Sequence, residues 1–127
     1  MSEFDCGWVQ DETDLNDIDV YQLLAARTIN KEMSQKDMLL HSALGLASEA
    51  GELAGIYQKT YQGHDLAQQH EHIIKELGDC LWMIAEHCTA LGIPLALVAQ
   101  TNIEKLEKRY PDGFDPERSL HREEGDI

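Results

Sequence analysis

An all-α fold, arranged as a four-helix bundle, follows from three features of the sequence. Apolar residues recur at three- and four-residue steps through most of residues 18–110. Gly63, Gly92, Pro94 and Pro111 punctuate the chain between those segments. Aromatic residues make up only 6% and β-branched runs are scarce, so there is no strand alternation to read. The middle of the chain is dominated by Ala, Leu, Glu, Gln and Lys, which favour helix.

Each element has its own signals. The first helix is expected to start near Asp17, with Asn16 or Asp17 as its cap, and to end between Asn30 and Met33. Ile18, Tyr21, Leu24, Ala25 and Thr28 give its periodicity. Ser34 or Asp37 caps the second helix. There Leu40, Ala43, Leu44, Ala47, Ala50 and Ala54 trace an apolar stripe that ends by Gly63. Gly45, Gly51 and Gly55 each weaken a helix interior by about 1 kcal/mol, and their expected use is close approach of another helix. The third helix spans about 68–91, with Ile73, Leu77, Cys80, Leu81, Ile84, Cys88 and Leu91 on its buried face. Gly92 ends it and Pro94 opens the fourth, which carries Leu95, Val98, Ile103 and Leu106 and stops at Tyr110 and Pro111. The short connections imply a bundle. The chain thus divides into an acidic arm (1–17, where Trp8 could dock), a helical domain (18–111) and an extended or loose tail (112–127).

Composition narrows the function. With 127 residues the chain has one domain's worth of length. Its formal net charge is -14, with 10 Lys+Arg against 24 Asp+Glu. Duplex nucleic acid and anionic membrane surfaces are therefore disfavoured as partners, because both need a basic face. A small phosphate-bearing substrate is still compatible, provided metal ions lie between the two sets of negative charge. Cys6, Cys80 and Cys88 form no disulfide framework, and Cys80 and Cys88 read as small core residues. Residues 1–19 do not resemble a signal peptide, and no apolar run approaches the roughly 20 residues a membrane span needs. A reducing cytoplasm is the expected setting.

Two acidic pairs carry the chemistry. Glu49 and Glu52 are three residues apart in the second helix, as are Glu76 and Asp79 in the third. Residues at that spacing share one helix face, about 5–6 Å apart at Cβ. Both pairs border apolar residues: Leu46 and Leu53 for the first, Ile73, Cys80 and Met83 for the second. Packing of the two stripes would bring four carboxylates together, at a cost of several kcal/mol each if left unpaired. A hard, oxygen-preferring cation removes that cost, and Mg²⁺ or Mn²⁺ fits. The same spacing also fits two solvated acidic patches on an acidic chain.

These residues carry a resemblance. Leu46-Ala-Ser-Glu-Ala-Gly-Glu-Leu53, Lys75-Glu-Leu-Gly-Asp-Cys-Leu-Trp82 and Asn102-Ile-Glu-Lys-Leu-Glu-Lys-Arg-Tyr-Pro-Asp-Gly-Phe114 together resemble the MazG-like all-α nucleoside triphosphate pyrophosphohydrolases. Tyr21-Gln-Leu-Leu-Ala-Ala-Arg-Thr28 is similar to the opening helix of that group. The likeness implies Mg²⁺-dependent hydrolysis of (d)NTP to the monophosphate and pyrophosphate. It makes Glu49, Glu52, Glu76 and Asp79 the metal ligands, and it maps nucleotide contacts to Asn102 and Lys105. Arg109 and Tyr110 lie in the same motif, with no role fixed. It further implies a homodimer or homotetramer. One position departs from the pattern: Ser48 stands where many members have a Glu proposed to activate the water, so no general base is named.

Other residues have two readings each. Trp82 suits stacking on a base as well as it suits packing. Lys59 fits a phosphate contact, although a solvated lysine is the commoner role. The six histidines show no metal-ligand pattern and default to surface or capping roles. A di-iron carboxylate bundle needs Glu-x-x-His from two helices, and no Glu here has a His three residues on. A non-catalytic helical module that binds nucleotide, metal or a partner is the alternative to the enzyme, and Ser48 keeps it open.

Overall fold

A computed structural model describes residues 17–127. Apart from Asp17, the acidic arm, with Trp8 and Cys6, lies outside the described residues. The described residues form five α-helices and one 3-10 turn: α1 (Ile18–Ala26), α2 (Gln35–Thr60), the turn Leu66–Gln69, α3 (His70–Leu91), α4 (Leu95–Arg109) and α5 (Pro116–Leu120). The four expected helices are present, and no strand occurs among the described residues.

The caps explain most of the boundaries. Asp17 caps α1, its side chain accepting from the Asp19 N–H at 2.8 Å. Ser34 caps α2 by accepting from the Asp37 N–H at 3.1 Å. Gly92 ends α3 at φ 70°, a left-handed conformation that glycine adopts without strain. Pro94 stands at the N-cap of α4 in extended backbone, one position earlier than the first helical residue.

Two expectations about element limits are corrected. The first helix stops at Ala26 rather than near residue 30, because local side-chain bonds compete with the helix there. Thr28 Oγ1 donates to the Ala25 carbonyl at 2.8 Å, and the Asn30 side chain accepts from the Glu32 N–H at 3.0 Å. The tail is not loose. Asp115 caps α5, with Pro116 opening it, and Arg109 holds Asp126 through two 2.7 Å hydrogen bonds.

The main contact is the antiparallel hairpin of α2 and α3. Its register is set by side chains that meet across the seam. His41 Nδ1 lies 2.9 and 3.0 Å from the two oxygens of Glu86, and Ser42 Oγ lies 2.8 Å from His87 Nδ1. Gly45 lies against Met83, where a Cβ would collide with the Met83 sulfur. So Gly45 does serve close helix approach, while a Cβ at Gly51 or Gly55 would meet nothing within 4 Å. The pairings also correct the default roles of two histidines: His41 is tied to a buried carboxylate and His87 is half-buried in the seam.

Burial on α2 falls on a different face from the expected stripe. Leu40, Ala43, Leu44, Ala47, Ala50 and Ala54 are all exposed, Leu44 by 70%. The face against α3 carries Ser42, Gly45, Leu46, Glu49, Leu53 and Ile56 instead. Small residues there let the backbones approach, and Ser42 finds its polar partner there. Beyond the hairpin, Ala85, Cys88 and Leu95 form a small core, with Tyr21, Ala25, Ile84 and Ile93 packed on it. Burying a side chain such as Leu95 contributes about 1.5–3 kcal/mol. Leu77, Leu81 and Leu91, placed on the buried face of the third helix from sequence, are partly exposed in the single chain, whereas Cys88 is buried as expected.

Gln22 fastens α1 to the α3–α4 turn. Its amide donates to the Ile93 carbonyl at 3.0 Å and to Thr89 Oγ1 at 3.3 Å, and its oxygen accepts from the Leu95 N–H at 2.6 Å. One side chain thus satisfies an N–H at the start of α4 that the helix itself leaves open.

Candidate metal centre

The α2–α3 register brings Glu49, Glu76 and Asp79 together. Each offers one oxygen, and the three oxygens lie within 4.8 Å of one another. Glu49 comes from the α2 face against α3. Glu76 and Asp79 come from successive turns of α3. The i,i+3 spacing that aligned each pair on its own helix therefore becomes convergence once the helices pack. Glu52 lies one turn on from Glu49, is exposed, and is outside this trio.

The electrostatics agree with the geometry. Partial burial holds the Glu49 carboxyl above the usual carboxylate range, and Asp79, Glu76 and Glu52 push it further in the same direction. Burial also raises the Tyr21 phenol, and the charge of Asp79 adds to the effect. Such crowding is the environment that a divalent cation relieves. Three carboxylates with no nitrogen or sulfur donor suit a hard cation of the Mg²⁺ or Mn²⁺ kind.

Two neighbours were not singled out from sequence. His72 Nε2 lies 2.8 Å from Glu76 Oε1, one turn before it on α3. The i,i+4 spacing of His72 and Glu76 is legible in the sequence, but the same spacing marks ordinary surface pairs. Tyr21 gave no signal, because the effect of Asp79 on it depends on α1 docking against α3.

The remaining candidates separate into several places. The Trp82 indole N–H donates to Thr28 Oγ1 at 3.0 Å, tying α3 to the segment after α1. Lys59 sits in the last turn of α2, exposed, about 15 Å of helix rise beyond Glu49. Asn102 and Lys105 are exposed on α4. Tyr110 packs at a tilt on Phe114, with ring centroids 5.4 Å apart, and the Arg109 guanidinium lies 6.0 Å from the Tyr110 ring centre. Lys105 and Arg109 line a cavity of about 310 Å³ built with the tail, and none of the four carboxylates lines it.

Comparison with known proteins decides the family. The profile of the MazG nucleotide pyrophosphohydrolase domain matches residues 37–114, well over half of the chain. The chain belongs to that family. The match covers all but the first two residues of α2 and all of α3 and α4, so it contains both halves of the carboxylate cluster. The protein is also similar to the Gene 37 protein of Mycobacterium phage L5, with 29% identity over 103 residues, 76% of this chain and 90% of that one. No solved structure matches.

Proposed function

We propose that this MazG-family chain hydrolyses (d)NTPs to the monophosphate and pyrophosphate, using a divalent cation, Mg²⁺ by preference, held by Glu49, Glu76 and Asp79. The observation that carries this reading is the convergence of three carboxylates from two helices inside the stretch matched to the family. Glu52 completes the set from its place one turn away. A cation there would supply charge neutralisation of the triphosphate and a lowered pKa for the attacking water.

The chain's own residues do the rest. His72 orients Glu76 by holding one of its oxygens, the supporting role that fixes a ligand's angle. Asn102 and Lys105 contact the nucleotide from α4, and Trp82 offers a flat ring face on which the base stacks. Water attacks the α-phosphorus in line with the departing pyrophosphate. Ser48 is exposed beside Glu49 and lacks the basicity to take the water's proton at neutral pH. That observation favours the second reading, a non-catalytic nucleotide- or metal-binding module.

We also infer a homodimer or homotetramer. The exposed stripe of Leu40, Ala43, Leu44, Ala47, Ala50 and Ala54 is a continuous apolar face of α2, and a second copy would cover it. Among the described residues no single helix is long and apolar enough to cross a membrane, and a cytoplasmic setting remains our reading.

The test is pyrophosphate release across the (d)NTPs, with and without Mg²⁺, for the parent and for Glu76→Gln. Mg²⁺-dependent release by the parent, lost in Glu76→Gln with the helical signal intact, is the expected result. No release from any nucleotide would favour the binding module. Unchanged turnover in Glu76→Gln would sink the site assignment.

A further inference from the structure

Half of the chain's cations gather at one place. Of 10 Lys+Arg in a molecule of net charge -14, Lys105, Lys108, Arg109, Arg118 and Arg122 all line the cavity of about 310 Å³ between the end of α4, α5 and the last residues. Glu123 and Glu124 line the same cavity and offset part of this charge. The carboxylate held directly by a guanidinium there is that of Asp126. Arg109 Nε donates to one of its oxygens and Nη2 to the other, both at 2.7 Å, in the forked geometry that guanidinium also offers to phosphate.

The tail is shaped to deliver that carboxylate. Gly125 adopts φ 86°, a left-handed conformation, and the Asp126 N–H donates to the Glu123 carbonyl at 3.1 Å. This turn folds the chain back onto α4. Arg122 and Lys105 join Arg109 in lowering the Asp126 carboxyl, after the direct hydrogen bonds from Arg109. Asp126 lies beyond residue 114, where the family match ends, while Arg109 lies within it.

We propose that Asp126 is an internal occupant of an anion-binding cleft, competing there with the phosphate groups of a free ligand. The tail acts as a strap: closed, it places a carboxylate on Arg109; open, it leaves Arg109, Lys105 and Arg122 for a pyrophosphate or polyphosphate moiety. The choice of phosphate as ligand rests on the nucleotide reading above, while the competition itself rests on the Arg109–Asp126 geometry. An intramolecular competitor lowers apparent affinity in proportion to the time it is bound, so a strap closed about nine-tenths of the time weakens binding about tenfold.

The experiment is calorimetric titration of inorganic pyrophosphate into the full chain without divalent metal. Asp126→Asn is expected to bind about tenfold more tightly than the parent. Arg109→Gln added to Asp126→Asn should abolish that gain. Glu124→Gln removes one negative charge from the same cavity lining, so it controls for charge alone and should change affinity far less. Equal affinity for the parent and Asp126→Asn, an equal gain in Glu124→Gln, or no binding by any variant would overturn the proposal. Binding without metal is separate from turnover. An active enzyme with no Asp126 effect loses the strap and keeps the hydrolase, whereas an inactive chain that shows the gain keeps the strap.

Discussion

Replacing His41 with Ala removes the partner of a carboxylate that is 1% exposed. Glu86 sits inside the α2–α3 seam and both its oxygens lie within 3.0 Å of His41 Nδ1. Breaking a buried pair by removing one member typically destabilises by about 3–5 kcal/mol, because the remaining charge is left without compensation. The His41 side chain is itself 48% exposed, so water can enter when the ring is removed and recover part of that loss. About 2–3 kcal/mol is the expected cost. For a domain of this size each kcal/mol moves the thermal midpoint by about 4 °C, giving a fall of about 8–12 °C. Far-UV circular dichroism during heating measures it directly. The double replacement His41→Leu with Glu86→Leu removes both polar groups and should recover most of the loss. A His41→Ala midpoint within about 2 °C of the parent would refute the reasoning, and so would a double variant less stable than the single one.

Two further outcomes follow from the structure. Glu49 is held above the usual carboxylate range by partial burial first and by Asp79, Glu76 and Glu52 after it. A carboxyl raised in this way contributes stability that is present below its unfolded value and is lost as pH rises through its folded value. In EDTA the thermal midpoint of the parent should therefore fall relative to that of Glu49→Gln as pH rises through and just above the carboxylate range, against the opposite contributions of Glu71 and Asp126, whose carboxyls are lowered. Mg²⁺ should restore the parent's midpoint near neutral pH but not near pH ~4. An Mg²⁺ effect of equal size at both pH values would contradict a carboxylate origin. Separately, Leu44→Glu places a charge in the exposed stripe of α2. It should shift the mass measured by light scattering toward one chain, and an unchanged assembly mass would place the interface elsewhere.

Much of this was legible before the fold was known, and the reasons are local. The caps at Asp17 and Ser34 and the stop at Gly92 are side-chain and backbone properties of single residues; Gly92 stands where the sequence put it, and each cap is one of the two positions the sequence offers. The Asp115-Pro116 start of α5 is equally local, although Gly113 and the mixed charge around it read as a loose tail. The pairing of Glu49 with Glu76 and Asp79 needed one non-local assumption, that the second and third helices pack side by side. The face was harder. Periodicity marks an apolar stripe on α2 but does not say which neighbour covers it, and the helix that packs there took the adjacent face with Ser42 and Gly45. Glu86–His41 and Arg109–Asp126 join residues 45 and 17 positions apart, and no spacing rule announces either.

The hairpin register has a consequence for how the molecule forms and how it tolerates change. Glu49, Glu76 and Asp79 all belong to two helices that follow one another in the chain, joined by the short stretch from Tyr61 to Gln69. Bringing them together closes only a short loop, and loop-closure entropy rises slowly from so small a base. Contacts of this low sequence separation are the ones that fast-folding helical proteins assemble first. The acidic cluster can therefore take its geometry from the hairpin alone, before α1 docks through Gln22 or the tail folds onto α4. Sequence drift in the first helix and in the residues after α4 then leaves the spacing of the three oxygens untouched, whereas a one-turn slip of α2 along α3, about 5.4 Å, would dismantle it.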